Sequence, residues 1–336
     1  MPPLMTPEAL FRLDAMAMLL LSNRQDHSLP LSLRGDAITT PGTGIWFQRQ
    51  LEFIEPEIYR HKLPMMNATR KFPVDTRPHA GANDYTYRMY EPIGVAKWIA
   101  NPADDAPFSD VAGKETTAKM RPLSSAFQWS VEEVLAGQLG GISLETDRGI
   151  SARRSIEEMS NSVFWEGDSA VGIFGAINYP YTPRYTFASA FEDMSTADDV
   201  VAALNAMAYS PFIVTKETER PTKMLMATTP YTYINSTRLS AGNDLTILKF
   251  FLENHPFITA VESCHELEAA GPDGEDLSMC MDPTMRTGKL LMPQPFTMLP
   301  AEARNFAFVI NCWSKIGGYC SPYPLANVIG EIPQPA

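Results

Sequence analysis

Residues 143–180, SLETDRGISARRSIEEMSNSVFWEGDSAVGIFGAINYP, hold the pattern that sets the fold. The first part predicts one long helix, Ser143 to about Glu166, with Ile150, Ile156, Met159, Val163 and Phe164 at helical spacings. At 1.5 Å per residue it measures about 35 Å. Gly149 inside it costs about 1 kcal/mol against alanine. Gly167-Asp168 ends it, since glycine readily takes the left-handed conformation that stops a helix. Gly172, Gly175 and Asn178 then punctuate an apolar segment, which reads as tight backbone turns. A phosphate nest is the alternative, but no lysine or helix start completes one. A polar helix this long, outside a coiled coil, needs a surface to lie along.

The 336 residues suffice for roughly two domains. Apolar residues make up 45% and charged residues 20%, as in an ordinary globular protein. The 28 prolines imply many fixed extended or turn segments, and the 18 methionines suit adaptable packing. A net charge of −12 argues against a chain that grips nucleic acid, which needs clustered Lys and Arg. The apolar run 9–21 is interrupted by Arg12 and Asp14 and is too short to span a bilayer, so the expectation is a soluble chain, intracellular at synthesis. Cys264, Cys280, Cys312 and Cys320 have irregular spacings and read as buried free thiols.

Going outward from that stretch, Thr6-Pro7-Glu8 starts a helix to about Leu21, and 22–44 is a polar tether, so the terminus reads as an arm. Trp46–Tyr59 has a helical spacing interrupted by Pro56. Residues 84–90, DYTYRMY, alternate as a strand, Asn101–Pro107 is a turn, and 109–121 is the returning strand. A two-stranded excursion with polar faces is unstable alone in water and must lie on another surface. Ser130-Val131-Glu132-Glu133 is a capping box opening a helix to about Leu139. After Pro180 come a helix capped at Ser195–Asp198 and ending near Tyr209, a strand at Lys223–Thr228, and helices at Thr229–Thr237 and Leu245–Glu253. Gly271–Asp276 is an exposed acidic turn. Phe306–Cys312, Gly318–Pro322 and Ala326–Ile332 read as extended.

Catalytic signatures are absent: no glycine-rich nucleotide loop, no nucleophile elbow and no metalloprotease helix. Catalytic, cofactor and metal residues are therefore assigned to none. Cys264-His265-Glu266 lacks a second metal half-site. The carboxylate pairs Glu132/Glu133, Glu157/Glu158 and Asp198/Asp199 each fall on a predicted helix and read as solvated faces. Tyr85, Tyr87, Arg88, Tyr90 and Trp98 are the candidate interface set: with so few cations nearby, protein contact is favoured over base stacking.

The Trp46–Tyr59 entry, the extended hairpin up to Arg121, the capped helix from Ser130, the long helix ending FWEGDSAVGIFGAINYP and the tail LPAEARNFAFVINCWSKIGGYCSPYPLANVIGEI, in this order, resemble the major capsid proteins of tailed bacteriophages. These have the Hong Kong 97-type fold, and a capsid subfamily once catalogued as a domain of unknown function looks most similar. The resemblance spans most of residues 46–332 and implies an α+β fold. Residues 1–45 would be the N-terminal arm, and 64–122 the E-loop that reaches over a neighbour. Residues 46–63, 123–180 and 301–336 would form the peripheral domain, with the spine helix at about 143–166, and 181–300 the axial domain.

It further implies a non-enzymatic subunit of an icosahedral head that encloses double-stranded DNA without sequence-specific binding. The shell would be built of homo-oligomeric hexamers and pentamers, with scaffold, portal and decoration proteins as candidate partners, no membrane and no cofactor. Its location would be the virion, after assembly in the host cytoplasm. Some family members cross-link a lysine to an asparagine of a neighbour. Lys71, Lys97, Lys114 and Lys119 are available here, but no partner is assigned and no cross-link is expected. An encapsulin-like shell around enzyme cargo is the alternative, and a soluble α/β enzyme a weaker one.

Overall fold

The computed structural model describes residues 62–98, 107–140, 144–240 and 242–335. The chain divides into two units, Met1–Leu63 and Pro64–Ala336. Of the first only Lys62 and Leu63 are described, both exposed. The expected Thr6–Leu21 helix, the arm, the Trp46–Tyr59 entry and residues 101–106 of the expected turn lie outside the described residues. All that follows concerns the second unit.

Its helices are α1 (Ala68–Lys71), α2 (Val131–Gly140), α3 (Leu144–Trp165), α4 (Ala197–Val214), α5 (Thr228–Ser236) and α6 (Ile247–Asn254). The long helix is α3, and it does lie along a sheet. Ala152, Ile156, Ser160, Val163 and Phe164 form its buried stripe, at the spacing one helix face requires. Ile150 and Met159, expected on that stripe, are exposed. Ile150 lies about 120° round the helix from Ile156, whereas Met159, three residues from Ile156 and four from Val163, sits at the edge of the stripe. On the solvent side Arg153 pairs with Glu157 and Arg154 with Glu158, both at 2.6 Å. Gly149 lies beside the Phe127 ring, where an added Cβ would meet Cζ at 3.6 Å.

The helix end is built by its own sequence. Gly167 has φ +76°, and Gly167–Asp168 pairs back with Ile173–Phe174. Asn178 closes the turn: its Oδ1 accepts the Gly175 N–H at 2.8 Å and its Nδ2 donates to the Glu166 carbonyl. A Cβ on Gly175 would meet the Trp165 carbonyl oxygen at 2.2 Å, so only glycine fits. The glycines are turn chemistry, as expected.

The surface under α3 is a four-stranded sheet centred on Ala307–Ile316. That strand pairs with Gln294–Met298, Glu302–Arg304 and, over ten residues from Ile316↔Arg121 to Ala307↔Ser130, Arg121–Ser130. The sequence reading left 122–129 outside any element. Pro122 and the serines obscure a period-two pattern that places Leu123, Phe127 and Trp129 on one face.

A five-stranded sheet follows the order Ala260–Ser263, Lys223–Met226, Asp276–Met281, Val328–Ile332, Arg184–Thr186. Met224, Met226 and Val328 from it pack with Leu204 of α4 and Ile247 and Phe251 of α6 in one core. Here the expected 301–336 return is corrected. The last strand, Val328–Ile332, sits inside this sheet between Asp276–Met281 and Arg184–Thr186, because its apolar residues are buried on both faces. The 64–122 excursion is also narrower than expected. Ala68 and Phe72 belong to the core around Trp165 and Tyr319, and Val74–Asp75 pairs with Lys289–Leu291.

Smaller expectations resolve locally. Ser130 and Glu133 exchange the two capping-box bonds at 3.1 and 3.0 Å; for α4 the box joins Thr196 and Asp199, one residue later than the expected Ser195–Asp198. That helix runs past Tyr209 to Val214 through Pro211. Asp276, assigned to an exposed turn, is buried and accepts the Ala269 N–H at 2.9 Å and the Gln334 side chain at 2.8 Å. All four cysteines are free and buried, and burial pushes the Cys280 thiol far up.

His255, just past the α6 end, is held by hydrogen bonds and aromatic contacts. Its Nδ1 accepts from Phe257 N at 3.2 Å and Ile258 N at 3.1 Å, and the ring lies among Tyr209, Phe251 and Phe257. Burial lowers its pKa below the usual value. The folded state therefore resists a proton that the unfolded chain takes up near pH ~6.5, so stability present above that pH is lost as pH falls through it. The unfolding midpoint should drop between pH 7 and 5. In His255→Asn, which keeps an acceptor but does not titrate, that part of the drop should vanish in urea titrations at each pH.

Candidate assembly interface at the projecting hairpin

Asp84–Ile93 and Asp110–Lys119 form an antiparallel hairpin that, among the described residues, pairs with no other strand. Its sequence alternates, so each cross-strand pair has a defined chemistry. Thr86 and Thr117 hydroxyls meet at 2.9 Å, Arg88 Nε donates to Glu115 at 2.7 Å, and Tyr90 lies opposite Gly113. Near the root, Tyr85, Tyr87, Thr116 and Ala118 are half-buried on one face. From Tyr90 outward both faces are exposed, and Trp98 and Phe108 reach 102% and 98% exposure. An isolated two-stranded ribbon is marginal in water.

The root is a buried polar socket. Lys289 Nζ donates to Asp75 Oδ2 and to the Tyr85 hydroxyl, each at 2.8 Å, and stands 4.7 Å from the Tyr85 ring centroid. Asp75 is 1% exposed and also receives the Arg77 guanidinium at 2.8 and 2.7 Å. The Arg77 hydrogen bonds hold the Asp75 carboxyl well below the usual carboxylate range, against its burial, and Lys289 adds to this. For Lys289, burial opposes the charge, yet the bonds to Asp75 and Tyr85 outweigh it and raise its pKa. A second buried lysine, Lys315, donates to the Ala80 carbonyl and Asn83 Oδ1, both at 3.0 Å. Asn83 in turn accepts the Met120 N–H at 2.8 Å, closing the two strands at their base. Tyr87 meets the Tyr179 hydroxyl at 3.3 Å, and burial pushes the Tyr179 phenol far up.

The five candidate residues thus divide. Tyr85 and Tyr87 join the socket, Arg88 pairs along the ribbon, and Tyr90 and Trp98 stand exposed farther out. Asp75, Lys289, Lys315 and Tyr179 were not anticipated. A buried lysine looks like a surface one in sequence, and Lys289 lies 204 positions from Tyr85. Of the candidate cross-linking lysines, Lys71 pairs with Glu262, Lys114 stands 5.8 Å from the Tyr181 ring centroid, and Lys119 lies against Gly172.

A second exposed feature is α2. Val131, Val134, Leu135 and Leu139 lie open on it, while Arg148 fastens Glu133 at 2.9 and 3.0 Å, lowering that carboxyl to about 2. Among the described residues no group of three His, Cys, Asp or Glu could hold a metal ion, and no helix is long and apolar enough to cross a membrane.

A family model described as "Major capsid protein" matches residues 94–329. No curated protein matches the sequence. Among solved structures the chain is similar to the capsid of Myoviridae phage XM1, with TM-score 0.77 and 14% identity over 86% of this chain and 99% of that one. It is also similar to the capsid of an empty GTA particle (TM-score 0.59, 11% identity, 88% and 100% covered). Mycobacterium phage Ogopogo gives TM-score 0.56 at 10% identity, with 86% and 100% covered. At these identities the likeness is one of fold.

The socket makes a graded prediction. Asp75→Ala leaves Lys289 buried without a carboxylate and should cost about 3–5 kcal/mol in urea unfolding. Arg77→Ala removes an exposed partner and should shift the urea midpoint far less than Asp75→Ala.

Proposed function

The chain belongs to the major capsid protein family, and on that premise we propose that its copies close into an icosahedral head around the double-stranded DNA of a tailed phage. The fold is the Hong Kong 97-like α+β capsid fold, and the protein is a structural shell subunit. In this reading α3 is the spine helix of a peripheral domain, the five-stranded sheet belongs to the axial domain, and Asp84–Lys119 is the E-loop lying over a neighbour.

The observation that carries the reading, beyond the family match, is the hairpin. A ribbon open on both faces, with Trp98 and Phe108 fully exposed, is a surface that one copy alone leaves uncovered. Covering it requires a neighbour, and a stable contact buries on the order of 1,000 Å² or more. The charge of −12 suits a wall that encloses DNA without holding it. Hexamers and pentamers, assembly in the host cytoplasm, the N-terminal arm, scaffold, portal and decoration partners, and the absence of catalysis belong to the same proposal.

Sedimentation velocity of the purified chain, with electron microscopy, tests it. Closed particles of megadalton mass should form, and particles recovered from infected cells should contain DNA. Enzyme cargo in its place would favour the encapsulin-like alternative. Replacing residues 90–113 with an Asn-Gly turn keeps the Thr86–Thr117 pair and the socket. That variant should give a folded subunit that stays unassembled, and closed shells from it would overturn the hairpin's role.

A further inference from the structure

The long helix rests on two different surfaces. Ala152 and Ile156, in its first half, pack with Cys312 of the four-stranded sheet, and Phe127, Phe296 and Ile310 lie against them. Phe164 and Trp165, at its end, belong instead to the core that holds Leu225, Leu277, Met279 and Met281 of the five-stranded sheet and its borders. α3 therefore joins one sheet to the other. Its second contact is apolar and contains methionine. Apolar attraction has no direction, and methionine adapts to a shifted neighbour, so this packing holds the helix on the sheet without setting the angle between them.

The direction comes from one carboxylate. Glu266 follows the edge strand Ala260–Ser263, and its side chain is 10% exposed. Its Oε1 accepts the Asn67 N–H at 3.0 Å and the Asn161 Nδ2 of α3 at 3.1 Å. Its Oε2 accepts the Asn67 side chain and the Cys264 thiol, each at 3.0 Å. Asn161 also accepts the Ala68 N–H on its Oδ1 at 3.0 Å. Three pieces of chain thus meet on one group: the segment 64–71, the long helix and the edge of the five-stranded sheet. Burial opposes the charge of Glu266, yet the hydrogen bonds outweigh it and hold its pKa below the ordinary value. Among the described residues no lysine or arginine pairs with it, and His265 Nδ1 stands 3.3 Å from Oε2. Its four donors are neutral and directional, so they fail when the angle changes.

The segment 64–71 is fastened at both ends. Lys71 pairs with Glu262 at 2.5 Å, where Lys223 joins at 2.7 Å, and Arg154 of α3 donates to the Pro64 carbonyl at 2.8 Å. Beside Glu266 a cavity of about 240 Å³ lies between Met65, Met66, Asn161, Trp165 and His265. The junction is bonded at the carboxylate and open next to it, and that space gives the helix room to turn once the bonds are lost.

We propose that Glu266 is the positioning residue that sets the angle between the long helix and the five-stranded sheet, and with it the curvature at which copies close. A change in that angle repeats in every copy, so it accumulates over a closed surface. The link to curvature rests on the shell reading above, whereas the angle belongs to the single chain.

All four cysteines are buried, so spin labels on Ser155→Cys of α3 and Asn235→Cys of α5, both exposed, report the angle in the full-length chain. Double electron–electron resonance on unassembled subunits should give one narrow distance. Glu266→Gln keeps the shape, but either orientation of its amide loses two of the four bonds, and a second distance should grow about tenfold in population. Asn67→Asp alone sets two carboxylates face to face and should do the same. The two substitutions together place an amide opposite a carboxylate again, and the narrow distance should return. In electron micrographs the particles of each single variant should spread in diameter, and those of the double variant should be uniform. Two distances in the labelled chain with Glu266 intact, or an unchanged distribution in Glu266→Gln, overturn the assignment. So does a failure to recover in the double variant while circular dichroism shows it folded. Uniform particles of unchanged diameter from a Glu266→Gln chain whose distances have broadened overturn the link to curvature alone. Failure of the unmodified chain to form particles overturns the shell reading, and the distances then decide the role of Glu266.

Discussion

Lys289 reaches from one strand into a pocket where Asp75 balances its charge and Asp75 and Tyr85 both accept its hydrogen bonds, and the direction of the whole hairpin depends on that contact. A lysine this buried persists only when paired and hydrogen-bonded, so the geometry is narrow. Asp75 comes from the segment entering the hairpin, Tyr85 from its first strand, and Lys289 from the body. One cation therefore fixes the angle between a fixed platform and a projecting element. Lys315, on the Ala307–Ile316 strand, adds a second buried cation at the base, bonded to the Ala80 carbonyl and Asn83 Oδ1.

The platform is rigid because the socket is continuous with the core. Tyr87 touches Tyr179, whose ring packs edge-on with Tyr319 at 5.5 Å. Tyr319 meets Phe72 at 5.2 Å, and Phe72 meets Trp165 at 5.2 Å. That aromatic row runs from the hairpin root to the last turn of α3, where Gly167, Gly175 and Asn178 lock the helix end. Strain applied to the hairpin is thus delivered to the long helix rather than to a loop. A close-packed interior transmits such displacement because it has few voids to absorb it.

Much of this was legible in the sequence where chemistry is local. The α3 length, its Gly167 stop, the Ser130 capping box and the DYTYRMY strand each rest on residues within one or two turns of one another. What sequence missed depends on distant partners. The Arg121–Ser130 strand is defined by its ladder to Ala307–Ile316, and Val328–Ile332 reads as extended without saying which sheet receives it. The hairpin residues were found from alternation and aromatic content. The inward role of Tyr85 and Tyr87 was not, because it is set by Lys289 and Tyr179.

The central claim is that the outer hairpin is completed only by another copy. Hydrogen–deuterium exchange of residues 84–119, compared between unassembled subunits and closed particles, tests it most directly. Amides near the root, around Asp84–Thr86 and Thr117–Lys119, should be slow in both states, since the socket holds them in either case. Those from Tyr90 to Trp98 and from Phe108 to Gly113 should exchange fast in the subunit and slow strongly in the particle. Equal protection of the outer hairpin in the two states would contradict the account.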